Sequence, residues 1–307
     1  MNWINLFECM CYIIVALALI DLIRKRDYNA LFTFGAAALV GFAMELLAVT
    51  VTDIYYYNNS FWLSLGKEPH QFPFFGGLMW GGLTVYGIKL AQKLRFGKVL
   101  TTLSAGMFIV TMDLFLDVIA IRLDGGFWTW VGNPINFDIT ASTFMSVIWV
   151  NFLGYMIEVP AVTWLTLKKQ EKVAKSDWKK QTIYMLLIAL GGILITAVGS
   201  LIALLLNSLT ADVFSCVAFL TLWFGMLVII LRRVFHAKVK ILHIKDWNYP
   251  MIIFWFAMYG YCIAGLLSLG VVEVHLWFVL LAVAFMLGTL YMCVISPIER
   301  VIMNKRK

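Results

Sequence analysis

Three carboxylates lie where the chain is otherwise apolar: Glu45 in GFAMELLAV, and Asp113 and Asp117 in TMDLFLDVI. An acid inside a membrane-spanning helix costs roughly 2.5–3.5 kcal/mol on insertion scales, which makes each a functional candidate by default. Asp113 and Asp117 are four residues apart and therefore share one helical face. Three acids at similar depth would repel if all were ionised, so a dry site favours keeping at least one protonated. A protonated acid in such a site is a proton donor. The structural alternative is a set of buried acids neutralised by hydrogen bonds from Tyr, Asn or Trp.

Aromatic and amide side chains flank these acids. Tyr55, Tyr56, Tyr57 and Trp62 follow Glu45, in a long connection that also holds Pro69, His70 and Pro73. Trp128 and Trp130 follow the aspartates, with Asn133, Asn136 and Asp138 beyond them, and Asn151 and Tyr155 are four apart in the next apolar run. Aromatic faces stabilise a cation passing over them. The same residue types also form the interfacial belt of ordinary membrane proteins. Glu8 and Asp21 are expected to snorkel or to pair with the Arg and Lys residues that follow. Glu158 is expected to pair with a cytoplasmic Lys. Gly76, Gly77, Gly81 and Gly82 suit close helix packing.

The elements that position these residues are membrane helices. The chain has 307 residues, of which 62% are hydrophobic and 13% charged. An ordinary soluble protein carries about 25% charged residues. Apolar runs long enough to span a bilayer recur throughout, which predicts an all-α polytopic bundle. About nine spans can be drawn: Ile4–Ile23, Ala30–Thr52, Phe72–Leu90, Val99–Ile121, Ser142–Leu167, Thr182–Leu206, Val213–Leu231, Tyr249–Gly270 and Leu276–Ile295. Alternate connections, together with the Arg300–Lys307 tail, hold 22 of the 24 Lys and Arg residues, leaving Lys67 and Arg122 on the opposite side. The positive-inside rule then places the N-terminus outside and the C-terminus in the cytoplasm. The net charge of +7 reflects this topology, with anionic lipid headgroups as its partners rather than nucleic acid. The first span lacks a basic segment before it and does not read as a cleaved signal peptide. The basic Lys168–Lys180 loop divides a five-span half (1–167), which carries the candidate chemistry, from a four-span half (181–307) of unassigned role.

Several chemistries are disfavoured. The four histidines fall in connections and form no HxxxH or HxxH pair, against haem, di-iron and zinc-protease sites. No Gly-rich phosphate loop and no DDxxD cluster is present. The five cysteines lie in predicted spans without metal spacing and read as small buried hydrophobes. What remains suits acid–base chemistry on a lipid-soluble molecule, with no cofactor and no metal.

Glu45, the Tyr55–Tyr57 segment, Pro69 to Pro73 and the LMW of Leu78–Trp80 resemble the first block of the membrane carotenoid-biosynthesis family that includes bisanhydrobacterioruberin hydratase. The DLFLD of Asp113–Asp117, the WTW of Trp128–Trp130 and the NFLGY of Asn151–Tyr155 resemble its second block. The resemblance covers roughly Ala30–Leu167. Val118 stands where the family has Pro, and Tyr155 where it usually has Trp. The resemblance implies a hydratase, of the lyase class, that adds water to a terminal C=C of a carotenoid or other polyisoprenoid. It implies Glu45, Asp113 and Asp117 as catalytic residues, and Tyr55, Tyr57, Trp80, Trp128, Trp130, Asn151 and Tyr155 as substrate-binding residues. Two other functions remain open on the residues alone. A membrane terpene cyclase would use the same protonating acid, and a proton-coupled carrier of a lipid or small solute would use the acids as a relay. A purely structural role predicts that the acids can be replaced by amides without effect.

Overall fold

A computed structural model describes residues 2–52, 54–173 and 177–299. The basic tail Arg300–Lys307 lies outside them. The described chain is all-α, with nine long helices at the nine expected places: α1 (Trp3–Arg24), α2 (Tyr28–Val51), α3 (Phe74–Lys93), α4 (Lys98–Ala120), α5 (Trp149–Gln170), α6 (Trp178–Leu209), α7 (Val213–Phe235), α8 (Tyr249–Ser268) and, after the single turn α9 (Val271–Val274), α10 (Leu276–Val294). Polar side chains start several of them. Asn2, Asp27, Asp177 and Asn248 each accept the backbone N–H three residues on, meeting one of the orphan donors of a first helical turn.

Eight of these helices are long and apolar enough to cross a membrane, so this is a multi-pass membrane protein. The exception is α3, whose composition is diluted by glycines and by Lys89 and Lys93. It is buried between α2 and α4, and a helix sheltered from lipid has no need of a lipid-compatible surface. The chain connectivity requires it to cross as well. The segments that follow α2 and α4 pair with each other, so α3 must return the chain between them.

The two ends of the bundle are stitched differently. At the basic end, Lys89 pairs with Asp27, Lys98 with Glu171, and Lys93 donates to the carbonyls of Met292, Cys293 and Ile295. At the opposite end, the connections fold over the helices as three short antiparallel pairs. These are β1 (Tyr55–Tyr57) with β4 (Trp128–Trp130), β2 (Ser64–Leu65) with β3 (Phe72–Pro73), and β5 (Thr143–Phe144) with β6 (Val147–Ile148). Glu8 anchors this roof. Its carboxylate is fully buried and accepts the backbone N–H groups of Trp62 (2.7 Å) and Leu63 (3.1 Å), rather than pairing with a cation. Asp21 does pair with Lys25, as its position near a basic helix end suggests.

Arg122 ties down the rest of the roof. It donates to the carbonyls of Val118, Asn136 and Met145 and lies 4.3 Å from the Phe137 ring centroid. Burial pulls its guanidinium down to about 10, which leaves it charged at neutral pH. The fifth span was expected from Ser142, but the helix starts at Trp149. Met145 and Ser146 occupy the left-handed region (φ 49° and 71°) and turn the chain into the β5–β6 hairpin instead. Asn151 therefore lies in the first turn of α5 rather than at mid-helix.

The core is centred on α4, which is buried along 94% of its span, whereas α6 is buried along only 22% of its own. Helices α3, α5, α7, α8 and α10 all pack against α4. The four-span half therefore encloses the helix that carries both aspartates, with α8 against α1 and α4, and α6 against α2 and α5. Where helices approach closely, glycines make the room. A Cβ at Gly41 would come within 2.3 Å of the Trp80 indole, and one at Gly106 within 3.1 Å of the Pro160 ring.

Candidate functional site

Glu45 lies two turns before the end of α2, and its partners come from the strand that follows. Tyr55 and Tyr57 alternate with Tyr56 on β1, so their side chains leave the strand on the same face. Both phenols turn back onto the carboxylate. The Tyr55 hydroxyl donates to Glu45 Oε2 at 2.5 Å and that of Tyr57 to the same oxygen at 3.0 Å. Burial and the neighbouring Glu45 push both phenols well above their ordinary range, so they remain hydrogen-bond donors. Tyr56 faces the other way and packs against His70.

Register then sets the aromatic walls. Tyr55 opposes Trp130 and Tyr57 opposes Trp128, with ring centroids 4.9 and 5.8 Å apart. Such cross-strand aromatic pairs stabilise a short ladder that would be marginal alone. Trp80 on α3 and Tyr155 on α5 form a second pair at 5.0 Å.

The aspartates approach from α4. They lie one turn apart on one face of the helix, both buried. Asn151 Nδ2 donates to Asp117 Oδ2 at 2.5 Å, joining α5 to α4. Asp113 Oδ2 and Asp117 Oδ1 are buried and without hydrogen-bond partners. Among the described residues, no Lys or Arg forms an ion pair with Glu45, Asp113 or Asp117. A group of three or more His, Cys, Asp or Glu suited to a metal ion is also absent among them.

Two adjoining cavities meet at Glu45 and Tyr155. The inner one, about 80 Å³, is bounded by Asp113, Tyr57, Phe72, Trp80, Trp128 and Met258. The outer one is a cleft of about 390 Å³ between α2, α5 and α6, into which Tyr55, Trp130 and Asn151 project. The structure thus gathers all ten residues singled out from sequence around one locus. Nine line a cavity, and Asp117 stands behind them, held by Asn151.

Glu158 departs from its expectation. It is buried, pairs with no Lys among the described residues, and lines the cleft. Its position carried the signal: it follows Tyr155 by three residues and Asn151 by seven, the spacing of one helical face. Thr196 and Ser200 of α6 also line the cleft, and no feature of their local sequence marks them. The second wall of the cleft is formed by the packing of α6 against α2 and α5. No family model, no curated protein and no solved structure matches the chain.

Proposed function

We propose that this multi-pass membrane protein is an enzyme that adds water to a terminal C=C of a lipid-soluble polyisoprenoid, most concretely a carotenoid. The observation that carries the reading is the convergence of Glu45, Asp113 and six aromatic rings on two joined cavities, with Asp117 held behind Asp113. The likeness of the motifs between Ala30 and Leu167 to a carotenoid hydratase family supports the same chemistry.

In this reading the aspartate pair holds a proton, and Asp113, which borders the inner cavity, delivers it. The proton goes to the less substituted carbon of the alkene, and the positive charge forms at the tertiary carbon. Tyr57, Trp80 and Trp128 face that cation with their π surfaces. Glu45, oriented by the Tyr55 and Tyr57 hydroxyls, positions water and takes its proton as the new C–O bond forms. The sum is alkene plus water to tertiary alcohol, and the proton held by Glu45 returns to the aspartate pair. Asn151 and Asp117 act by holding Asp113 in place. Aromatic packing excludes further water, which limits competing loss of a proton back to an alkene.

The test is mass spectrometry of lipid extracts from cells that supply polyisoprenoid precursors and express the protein, beside Glu45→Gln, Asp113→Asn and Asp117→Asn. A new species heavier by one water, lost in the variants, is the expected result. An isomer of unchanged mass replaces the hydratase with a cyclase. Unchanged extracts across carotenoid and shorter isoprenoid precursors, with well-expressed protein, overturn the reading.

A further inference from the structure

The cleft contains polar groups that the hydration chemistry does not use. Glu158 and Thr196 line its walls on α5 and α6, with Ser200 one turn further along α6. Glu158 and Thr196 are 7% and 2% exposed, so both are more than nine-tenths buried. The Glu158 carboxyl forms no ion pair with a described residue, and Thr196 Oγ1 is buried without a hydrogen-bond partner. Thr102, Thr163 and Thr166 are likewise buried and unpartnered, but of the four only Thr196 lines this cleft. Thr33, Thr50 and Thr182 each bond back to the carbonyl four residues earlier, satisfying the hydroxyl within their own helices. An acid within the bilayer is costly, and one without a cationic partner is a site candidate.

The rim of the same cleft is apolar and outward-facing. Leu47 and Val51 on α2, and Leu201 and Leu204 on α6, lie along its edges and are exposed on the helix surfaces that meet lipid. The floor leads through Glu45 and Tyr155 to the inner cavity. A lipid-facing rim, a polar patch with unmet hydrogen bonds and continuity with a buried acid site together describe a ligand. It is a hydrocarbon chain bearing a hydroxyl group, and it enters sideways from the membrane.

We propose that the cleft between α2, α5 and α6 is a lateral entry and chain-binding subsite for an isoprenoid alcohol, whose hydroxyl is bound by Glu158 and Thr196. The proposal deepens the reading above and rests on it for the isoprenoid nature of the chain. Glu158 is seven residues beyond Asn151, about 10 Å along α5 at 1.5 Å per residue. The hydroxyl is thus bound at the α5–α6 wall of the cleft, which meets the inner cavity at Glu45 and Tyr155. A cleft of about 390 Å³ also falls in the range of small-molecule sites.

The experiment measures binding and needs no turnover. Purified protein in lipid nanodiscs is exposed to a diazirine-bearing analogue of geranylgeraniol, irradiated, and mapped by peptide mass spectrometry. The expected labels fall on the Leu47–Val51 and Ala197–Leu204 segments. Geranylgeraniol competes with them, whereas squalene, which has no hydroxyl, competes at least tenfold more weakly. Glu158→Leu and Thr196→Val weaken labelling at least fivefold, and Ala197→Trp, which fills the cleft, abolishes it. Glu158→Gln keeps a hydrogen-bonding group and retains most of it, which separates loss of the subsite from loss of the fold. Labels spread equally over the outward faces of α7 and α10, or equal competition by squalene, overturn the proposal. Specific labelling without a hydrated product supports the subsite and counts against the hydratase. A hydrated product with labelling indifferent to Glu158 and Thr196 does the reverse.

Discussion

Asn151 in the first turn of α5 donates its side-chain N–H to Asp117 of α4 across 2.5 Å, and this bond joins the two helices that bear the polar centre of the bundle. Hydrogen bonds to a charged partner contribute about 1.5–3 kcal/mol, and stranding a buried polar atom costs a similar amount. Asn151→Leu is therefore expected to destabilise the protein by about 2 kcal/mol. Asn151→Asp, which sets a third carboxyl beside the aspartate pair, is expected to cost more. The check is a double-mutant cycle with Asp117→Asn, read from thermal unfolding in detergent. Additive effects would show that the two side chains are not coupled.

Tyr55 and Tyr57 both donate to Glu45 Oε2, so each partly covers for the other. Tyr55→Phe and Tyr57→Phe are each expected to lower hydrated product about tenfold. The double substitution is expected to fall below the product of the two, because Glu45 then loses both phenol donors. Product yield per unit of folded protein measures this, with near-unchanged melting temperatures in the single variants. Equal yields in all three variants would remove Glu45 from the chemistry.

Gly41 and Gly154 make opposite predictions. A Cβ at Gly41 would press into the Trp80 indole at 2.3 Å, whereas one at Gly154 meets nothing within 4 Å. Gly41→Ala is expected to displace Trp80, cost about 1–3 kcal/mol and reduce activity. Gly154→Ala, inside α5, is expected to be neutral or stabilising by about 0.5–1 kcal/mol. Melting temperatures and Trp fluorescence of the two proteins distinguish them directly. A red-shifted emission in Gly41→Ala alone is the signature of the moved indole.

Glu8 holds two backbone N–H groups of the roof from within α1. Glu8→Leu leaves both amides without an acceptor, and about 1–3 kcal/mol of local stability is expected to be lost. The effect should concentrate between residues 58 and 73. Hydrogen exchange is expected to quicken at Trp62 and Leu63 while the α4 amides keep their protection. Uniform acceleration throughout the bundle would instead assign Glu8 a global role.

The membrane fold followed from the sequence because its physics is local. A run of apolar residues long enough to cross a bilayer must satisfy its backbone within a helix, whatever surrounds it. Glu45, Asp113 and Asp117 stood out for the same reason, as costly residues in apolar surroundings, and the spacing of Asn151 and Tyr155 put them on one helix face. Other features depended on partners distant in sequence. Glu8 receives amides more than fifty residues away, Tyr55 meets Trp130 only through the β1–β4 register, and Thr196 faces the cleft because α6 packs beside α2 and α5. Glu158 shows the difference most plainly. Its sequence neighbours pointed to a cytoplasmic lysine, whereas the packing of α5 turned it into the cleft. Helix periodicity ranks the faces of one helix, but which neighbour covers each face is decided by how all the helices pack together.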